Sequence, residues 1–178
     1  MRRVFLIGPM GSGKSAVGKR LARLLDWEFL DSDAEIERRT GVDIPFIFEK
    51  EGESGFRVRE AAVIAELSQL DHTVLSTGGG AIMSAATRAI LRERGMVVYL
   101  QTSVEQQARR VRDGASRPMV AGRPVQERLT ELLQQREPLY LDTAHIVVPT
   151  DGRRVPTVAQ SIFERLRASD ADGGAAEQ

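Results

Sequence analysis

Short, unbroken apolar runs recur along this chain and alternate with longer amphipathic stretches. The runs are Val4–Ile7, Glu28–Leu30, Thr73–Leu75, Met96–Leu100 and His145–Val148. Strands buried on both faces read as continuous apolar runs rather than as alternation, so these predict a parallel sheet. Helical patterns lie between them, near Lys14–Leu25, Ala34–Thr40, Phe56–Gln69, Ser84–Arg94 and Ser103–Val111. Leu21, Leu24 and Leu25 form an apolar stripe, and Pro156 with Ile162, Phe163 and Leu166 fits a final helix. Asp26 and Gly41 fall where helices should stop. The alternation of strand and helix predicts an α/β sandwich around a parallel sheet.

Two stretches break the rhythm. Residues 112–124 are rich in Gly, Pro and Arg and poor in core residues, which predicts a mobile surface segment. Residues 169–178 are small and polar, and a disordered tail is expected there. The length of 178 residues fits one domain, spanning 1–168, with no internal repeat.

Charge changes the picture by what it removes. The 25 basic and 25 acidic side chains cancel, so no global field attracts nucleic acid or an anionic membrane. Neither is expected as a partner. Cysteine is absent, which excludes disulfides, thiol catalysis and thiolate-bound zinc. His72 and His145 lack metal-site spacing and read as ordinary residues. No run is long enough for a membrane span and no signal-peptide core follows Met1-Arg2-Arg3, so a cytoplasmic location is expected. A monomer is expected, since no adhesive surface pattern stands out.

The chemistry begins after the first run. Gly8-Pro9-Met10-Gly11-Ser12-Gly13-Lys14-Ser15 has the spelling G-x-x-x-x-G-K-[ST], between a strand and a helix. Glycines let the backbone curl so that its N–H groups face inward as a nest for phosphate oxygens. Lys14 would place an ammonium near the β- and γ-phosphates, and the Ser15 hydroxyl would be a Mg²⁺ ligand. Gly11, Ser12, Gly13, Lys14, Ser15 and Ala16 are therefore the expected ATP contacts.

A phosphate loop alone does not separate GTPases, motors, helicases and small-molecule kinases. No Asn-Lys-x-Asp run is present to read guanine, and the Thr73–Leu75 strand ends in Ser76-Thr77-Gly78-Gly79-Gly80 rather than in acidic residues. Small-molecule kinases remain. The second strand ends in Asp31-Ser32-Asp33. Ligands of open parallel sheets sit at carboxyl strand ends, which places both carboxylates near the loop. Two residues apart on an extended segment, they can face one site, one toward the metal's water shell and one toward an acceptor hydroxyl. Helix capping is the competing reading for the same residues, and Asp33 can serve both. Arg57, taken alone, reads as a solvated helix residue. Three consecutive glycines at a strand end are harder to dismiss, because they allow close backbone approach to a ligand.

The ordered series GPMGSGKS, DSD, GESGFR, STGGG, an RP pair inside the glycine-rich segment, and REPLY resembles the shikimate kinase family from about Arg2 to Leu166. The resemblance implies a nucleoside-monophosphate-kinase-like, three-layer α/β/α fold with a five-stranded parallel sheet. It also implies a substrate-binding region at about 33–60 and a lid at about 112–124. The implied reaction moves the γ-phosphate of ATP to the 3-hydroxyl of shikimate, a step towards chorismate and the aromatic amino acids. By resemblance, Asp33 holds the ring hydroxyls and is the candidate base, while Arg57 and Arg136 grip the carboxylate. Gly78, Gly79 and Gly80 close round the ring. Arg117 is the lid arginine, Ser15 and Asp31 belong to the Mg²⁺ shell, and Arg153 packs over adenine. Guanidinium forks suit a carboxylate better than ammonium does.

Departures from the family pattern are modest. Met119 and Val120 follow Pro118 where leucines are usual. Pro45 suits the first turn of a helix, Phe46 and Phe48 are expected in the core, and Trp27 is expected to pack near the second strand. A gluconate or nucleotide kinase is the nearest alternative, and a non-catalytic nucleotide-binding regulator is the alternative of another class.

Overall fold

A computed structural model describes residues 2–112 and 124–173. Five strands, β1 (Arg3–Ile7), β2 (Glu28–Asp31), β3 (Thr73–Ser76), β4 (Met96–Gln101) and β5 (Ile146–Pro149), form one parallel sheet in the order β2-β3-β1-β4-β5. All four pairings are parallel, with Phe5 opposite Leu75 on one side and Val97 on the other. The five apolar runs thus become the five strands. β1 is central, and its two neighbours are reached by opposite excursions, so a crevice opens at its carboxyl end.

Strand residues divide by parity. Val4 and Leu6 face a cluster with Val17, Leu21, Val158 and Ile162, supplied by α1 (Lys14–Leu25) and α7 (Val155–Gly173). Phe5 and Ile7 face the opposite cluster, with Ile36, Phe56, Ile64, Leu91 and Tyr140. Those residues come from α2 (Ser32–Thr40), α3 (Ile44–Leu67), α4 (Ala85–Arg94) and α6 (Val125–Thr143). Both faces are covered, which is why the strands carry no polar alternation. The sandwich has three layers.

Asp26 and Gly41 end α1 and α2 in the left-handed conformation, as their positions predict. Other expectations change. α3 begins at Ile44, far ahead of Phe56, and contains the non-helical Gly52 (φ 70°, ψ −178°). The chain bends at Gly52 and continues as helix through Phe56. Pro45 does sit in the first turn. Phe48 packs on Phe56 at 4.8 Å between ring centroids, but Phe46 is 45% exposed and does not join the core. α6 lies where no helix is read from the pattern. α7 runs to Gly173, so residues 169–173 are helical rather than part of a tail. Trp27 meets the edge of His72, and His145 Nδ1 accepts a hydrogen bond from the Val97 N–H at 3.0 Å. Among the described residues, no helix is long and apolar enough to cross a membrane. Residues 113–123, and with them most of the expected lid, lie outside the described residues.

Candidate active site

The loop after β1 carries Gly8, Gly11 and Gly13 at φ 146°, 74° and 90°, backbone that a side chain would strain. Gly13 is the N-cap of α1 and brings no side chain to its first N–H groups, which therefore face the loop as an anion nest. The Lys14 ammonium donates to Gly8 O (2.7 Å) and Pro9 O (2.9 Å), so it is held over the loop it serves. Helix α5 (Val104–Arg112) closes the other side. Arg110 Nη1 donates to Gly11 O at 2.8 Å, and a Cβ on Gly11 would stand 3.2 Å from the Gln107 backbone.

Asp31 ends β2 and does two things at once. Its Oδ1 accepts from the Asp33 N–H (3.1 Å) and the Ala34 N–H (3.4 Å), capping α2, while its Oδ2 accepts from the Ser15 hydroxyl at 2.8 Å. The cap is therefore Asp31 and not Asp33. Asp33 lies in the first helical turn, so the two carboxylates do not share an extended segment as the spacing implies. The turn of α2 nevertheless brings both to the same cleft. Ser32, fully buried between them, accepts from the Gly78 N–H at 3.1 Å and ties this corner to the glycine turn.

That turn explains three glycines with three different neighbours. A Cβ on Gly78 would stand 2.2 Å from Glu60 Oε1 and 2.9 Å from Asp33 Oδ1. On Gly79 it would stand 3.3 Å from Met10 N, in the phosphate loop. On Gly80 it would lie within 2.5 Å of three atoms of the Arg57 guanidinium. The turn is thus the point where the phosphate loop, two carboxylates and an arginine meet. Each contact is possible only because no side chain intervenes.

Arg57 is no solvated helix residue. Its Nη1 donates to Glu60 at 2.7 Å and its Nη2 to the half-exposed Glu53 at 3.1 Å. Burial disfavours its charge, and the two glutamates outweigh that, leaving its pKa above the usual value. Glu60 is 2% exposed, and burial pushes its carboxyl above the ordinary range, with Arg57 opposing and Asp33 adding to the rise. Arg136, on α6, is also buried, and its Nε has no hydrogen-bond partner. Burial and the like charge of Arg57 lower its pKa. A buried guanidinium under that load is matched to an anion, because a carboxylate would offset the cost of burying its charge and supply the missing acceptor.

Gly11, Gly13, Lys14, Ser15, Ala16, Asp31, Asp33, Gly78 and Gly79 all line one cleft of about 260 Å³. Ser12 is buried beneath the loop. Arg57, Gly80 and Arg136 stand beside the cleft around the glycine turn. Arg153 is exposed in the turn after β5 and does not line it. Arg117 lies outside the described residues. Sequence reading missed two side chains. Arg110 lines the cleft because α5 crosses the phosphate loop, a tertiary fact with no local signal. Glu60 was legible in principle, since a carboxylate three residues after Arg57 shares its helix face.

Comparison with known proteins decides what this arrangement belongs to. The shikimate kinase family model matches residues 10–167. The chain belongs to the shikimate kinase family. It is 53% identical over 165 residues to the shikimate kinase of Halorhodospira halophila, covering 93% of each chain. It is 52% identical to that of Pseudomonas entomophila, covering 94% of this chain and 97% of the relative. Shikimate kinase from Acinetobacter baumannii in complex with shikimate superposes with a TM-score of 0.92 at 47% identity, covering 95% of this chain and 94% of that one. A gluconokinase from Sinorhizobium meliloti shares the fold alone, with a TM-score of 0.62 at 19% identity. The family's chemistry is ATP-dependent phosphoryl transfer, and the chain is a kinase of this kind.

Proposed function

We propose that the cleft transfers the γ-phosphoryl group of ATP to the 3-hydroxyl of shikimate, with the phosphates in the Gly8–Ser15 nest and the acceptor at the glycine turn. One observation carries the assignment of residues. The buried Arg136, the partly buried Arg57 and Asp33 converge on a turn whose middle glycine touches the phosphate loop. A small acid bearing hydroxyls matches that set: Arg57 and Arg136 for its carboxylate, and Asp33 for its hydroxyls. A nucleotide acceptor would need a base-reading surface there instead.

Positioning does most of the work in this reading. Phosphoryl transfer passes through a loose transition state that asks little of the nucleophile, so alignment and charge stabilisation dominate. Asp33 orients the acceptor hydroxyl and accepts its proton as the P–O bond forms. Lys14, already fixed over the loop, neutralises charge on the transferring group. Arg110 adds a second cation on the nucleotide side of the loop, and Arg117 would supply a third from the lid. Arg153, from the exposed turn after β5, is assigned to the adenine edge.

The Ser15 hydroxyl and Asp31 present only oxygen donors, which suits Mg²⁺, with phosphate oxygens and water completing its shell. Bound there, the ion would offset phosphate charge. Among the described residues no group of three carboxylate or imidazole side chains could hold a metal without such help.

The test is ADP release from ATP and Mg²⁺ with shikimate, gluconate or AMP as acceptor. Dependence on shikimate alone establishes the acceptor. Release with gluconate or AMP would remove the Arg57–Arg136 clamp as drawn.

A further inference from the structure

Tyr140 closes the REPLY stretch, and the reaction as described leaves it without a role. It is 1% exposed, and its hydroxyl donates to the Gly79 carbonyl at 2.5 Å. Its ring stacks on Tyr99 of β4, with centroids 4.9 Å apart and planes at 18°. Tyr99 is itself fully buried, so the phenol is braced against the centre of the sheet. Arg136 sits one helical turn earlier on α6 and faces the same hydroxyl. Burial pushes the Tyr140 hydroxyl well above its ordinary range, and the Arg136 charge opposes that. Tyr140 therefore stays a neutral donor throughout the physiological range.

We propose that Tyr140 is a positioning residue: its hydroxyl locks the Gly79–Gly80 peptide and, through the shared face of α6, sets Arg136 against it. The proposal rests on the reading of the cleft as a shikimate site. A peptide is planar, so a carbonyl held in one direction fixes the N–H of the following residue. Holding Gly79 O therefore aims the Gly80 N–H. Three glycines in succession have little conformational preference of their own. Ser32 fixes the first through the Gly78 N–H, and the Ala81 N–H closes the turn by donating to Gly78 O at 3.1 Å, which leaves the Gly79 carbonyl to be held from outside the turn. Tyr140 supplies that restraint from α6, the helix that also carries Arg136. The donor set for the carboxylate and the backbone that closes on the ring are thereby held by one helix.

The experiment compares wild type, Tyr140→Phe and Tyr99→Phe in the full chain. Phenylalanine keeps the stacked ring and removes only the hydroxyl. Tyr99→Phe is the control, because its hydroxyl donates to Glu137 at 3.5 Å and not to the glycine turn. One ordinary hydrogen bond corresponds to roughly a two- to tenfold change in an equilibrium. Tyr140→Phe should raise KM for shikimate by about that factor, leave KM for ATP unchanged and speed hydrogen exchange at the Gly79 and Gly80 amides. Tyr99→Phe should do none of these. Unchanged shikimate KM and unchanged exchange would overturn the proposal, as would equal rises in both KM values with a lowered Tm. Failure of wild type to use shikimate would sink the acceptor assignment instead. Exchange at the two amides would still decide whether Tyr140 holds the turn.

Discussion

Gly80 and Arg57 share one volume: a Cβ on the glycine would stand 2.0 Å from a guanidinium nitrogen of the arginine. The side chain that Gly80 lacks is what lets Arg57 lie flat against the turn. Gly80→Ala should therefore act as an Arg57 mutation without touching Arg57. A charge-assisted hydrogen bond contributes about 1.5–3 kcal/mol, so shikimate affinity should fall roughly ten- to a hundredfold with ATP affinity retained. Calorimetric titration with each ligand checks this. Wild-type shikimate affinity in Gly80→Ala would detach Arg57 from the carboxylate.

Asp33→Asn keeps the shape and removes the charge proposed to accept the proton. Nucleotide binding should persist, while turnover falls by roughly 10²–10⁴, the usual range for a general base. A fall of less than threefold would reduce Asp33 to a hydrogen-bonding role.

Glu35 offers a pH test remote from the cleft. It accepts from Arg38 and Arg39, and these bonds lower its pKa from 4.5 to about 2. A carboxylate lowered on folding stabilises the native state fully above its unfolded pKa and loses that contribution as pH falls through the folded one. The stability difference between wild type and Glu35→Gln should be constant above pH 4.5 and shrink toward pH 2. Urea unfolding across that window measures it. A difference that grew on acidification would contradict the pairing.

Gly52 sits inside α3 at φ 70° and ψ −178°, a region open only to glycine. Gly52→Ala should cost about 1–3 kcal/mol of stability. Denaturant unfolding gives the value directly, and a loss below about 0.5 kcal/mol would show that the bend relaxes freely.

The five strands were legible because each centres on a short apolar run, and the inner ones, β1, β3 and β4, are buried along most of their length. α6 was not, and its buried positions show why. Leu129, Leu132, Arg136, Tyr140 and Thr143 follow helical spacing, but Arg136 and Thr143 are polar, and Pro138 interrupts the run. The stripe exists only for a reader who already knows that Arg136 is buried. α3 was half-hidden for a related reason: Gly52 and Gly55 look like a terminus, and the helix bends there. In the cleft, Lys14, Ser15, Asp31 and the glycine turn carry local spellings. Arg110 does not, since its role arises from a helix crossing the loop, and Glu60 is legible only once Arg57, three residues earlier, is read as its partner.

Arg57 already holds two carboxylates at rest, those of Glu60 and Glu53. The second is half-exposed and directly follows Gly52 in the chain. An incoming acid that took the Glu53 position would find its berth occupied by a side-chain carboxylate of the protein itself. It would gain only its advantage over Glu53, which favours a ligand with further hydroxyls to offer Asp33 over a bare carboxylate. The displaced glutamate would be released directly beside Gly52, the non-helical residue within α3.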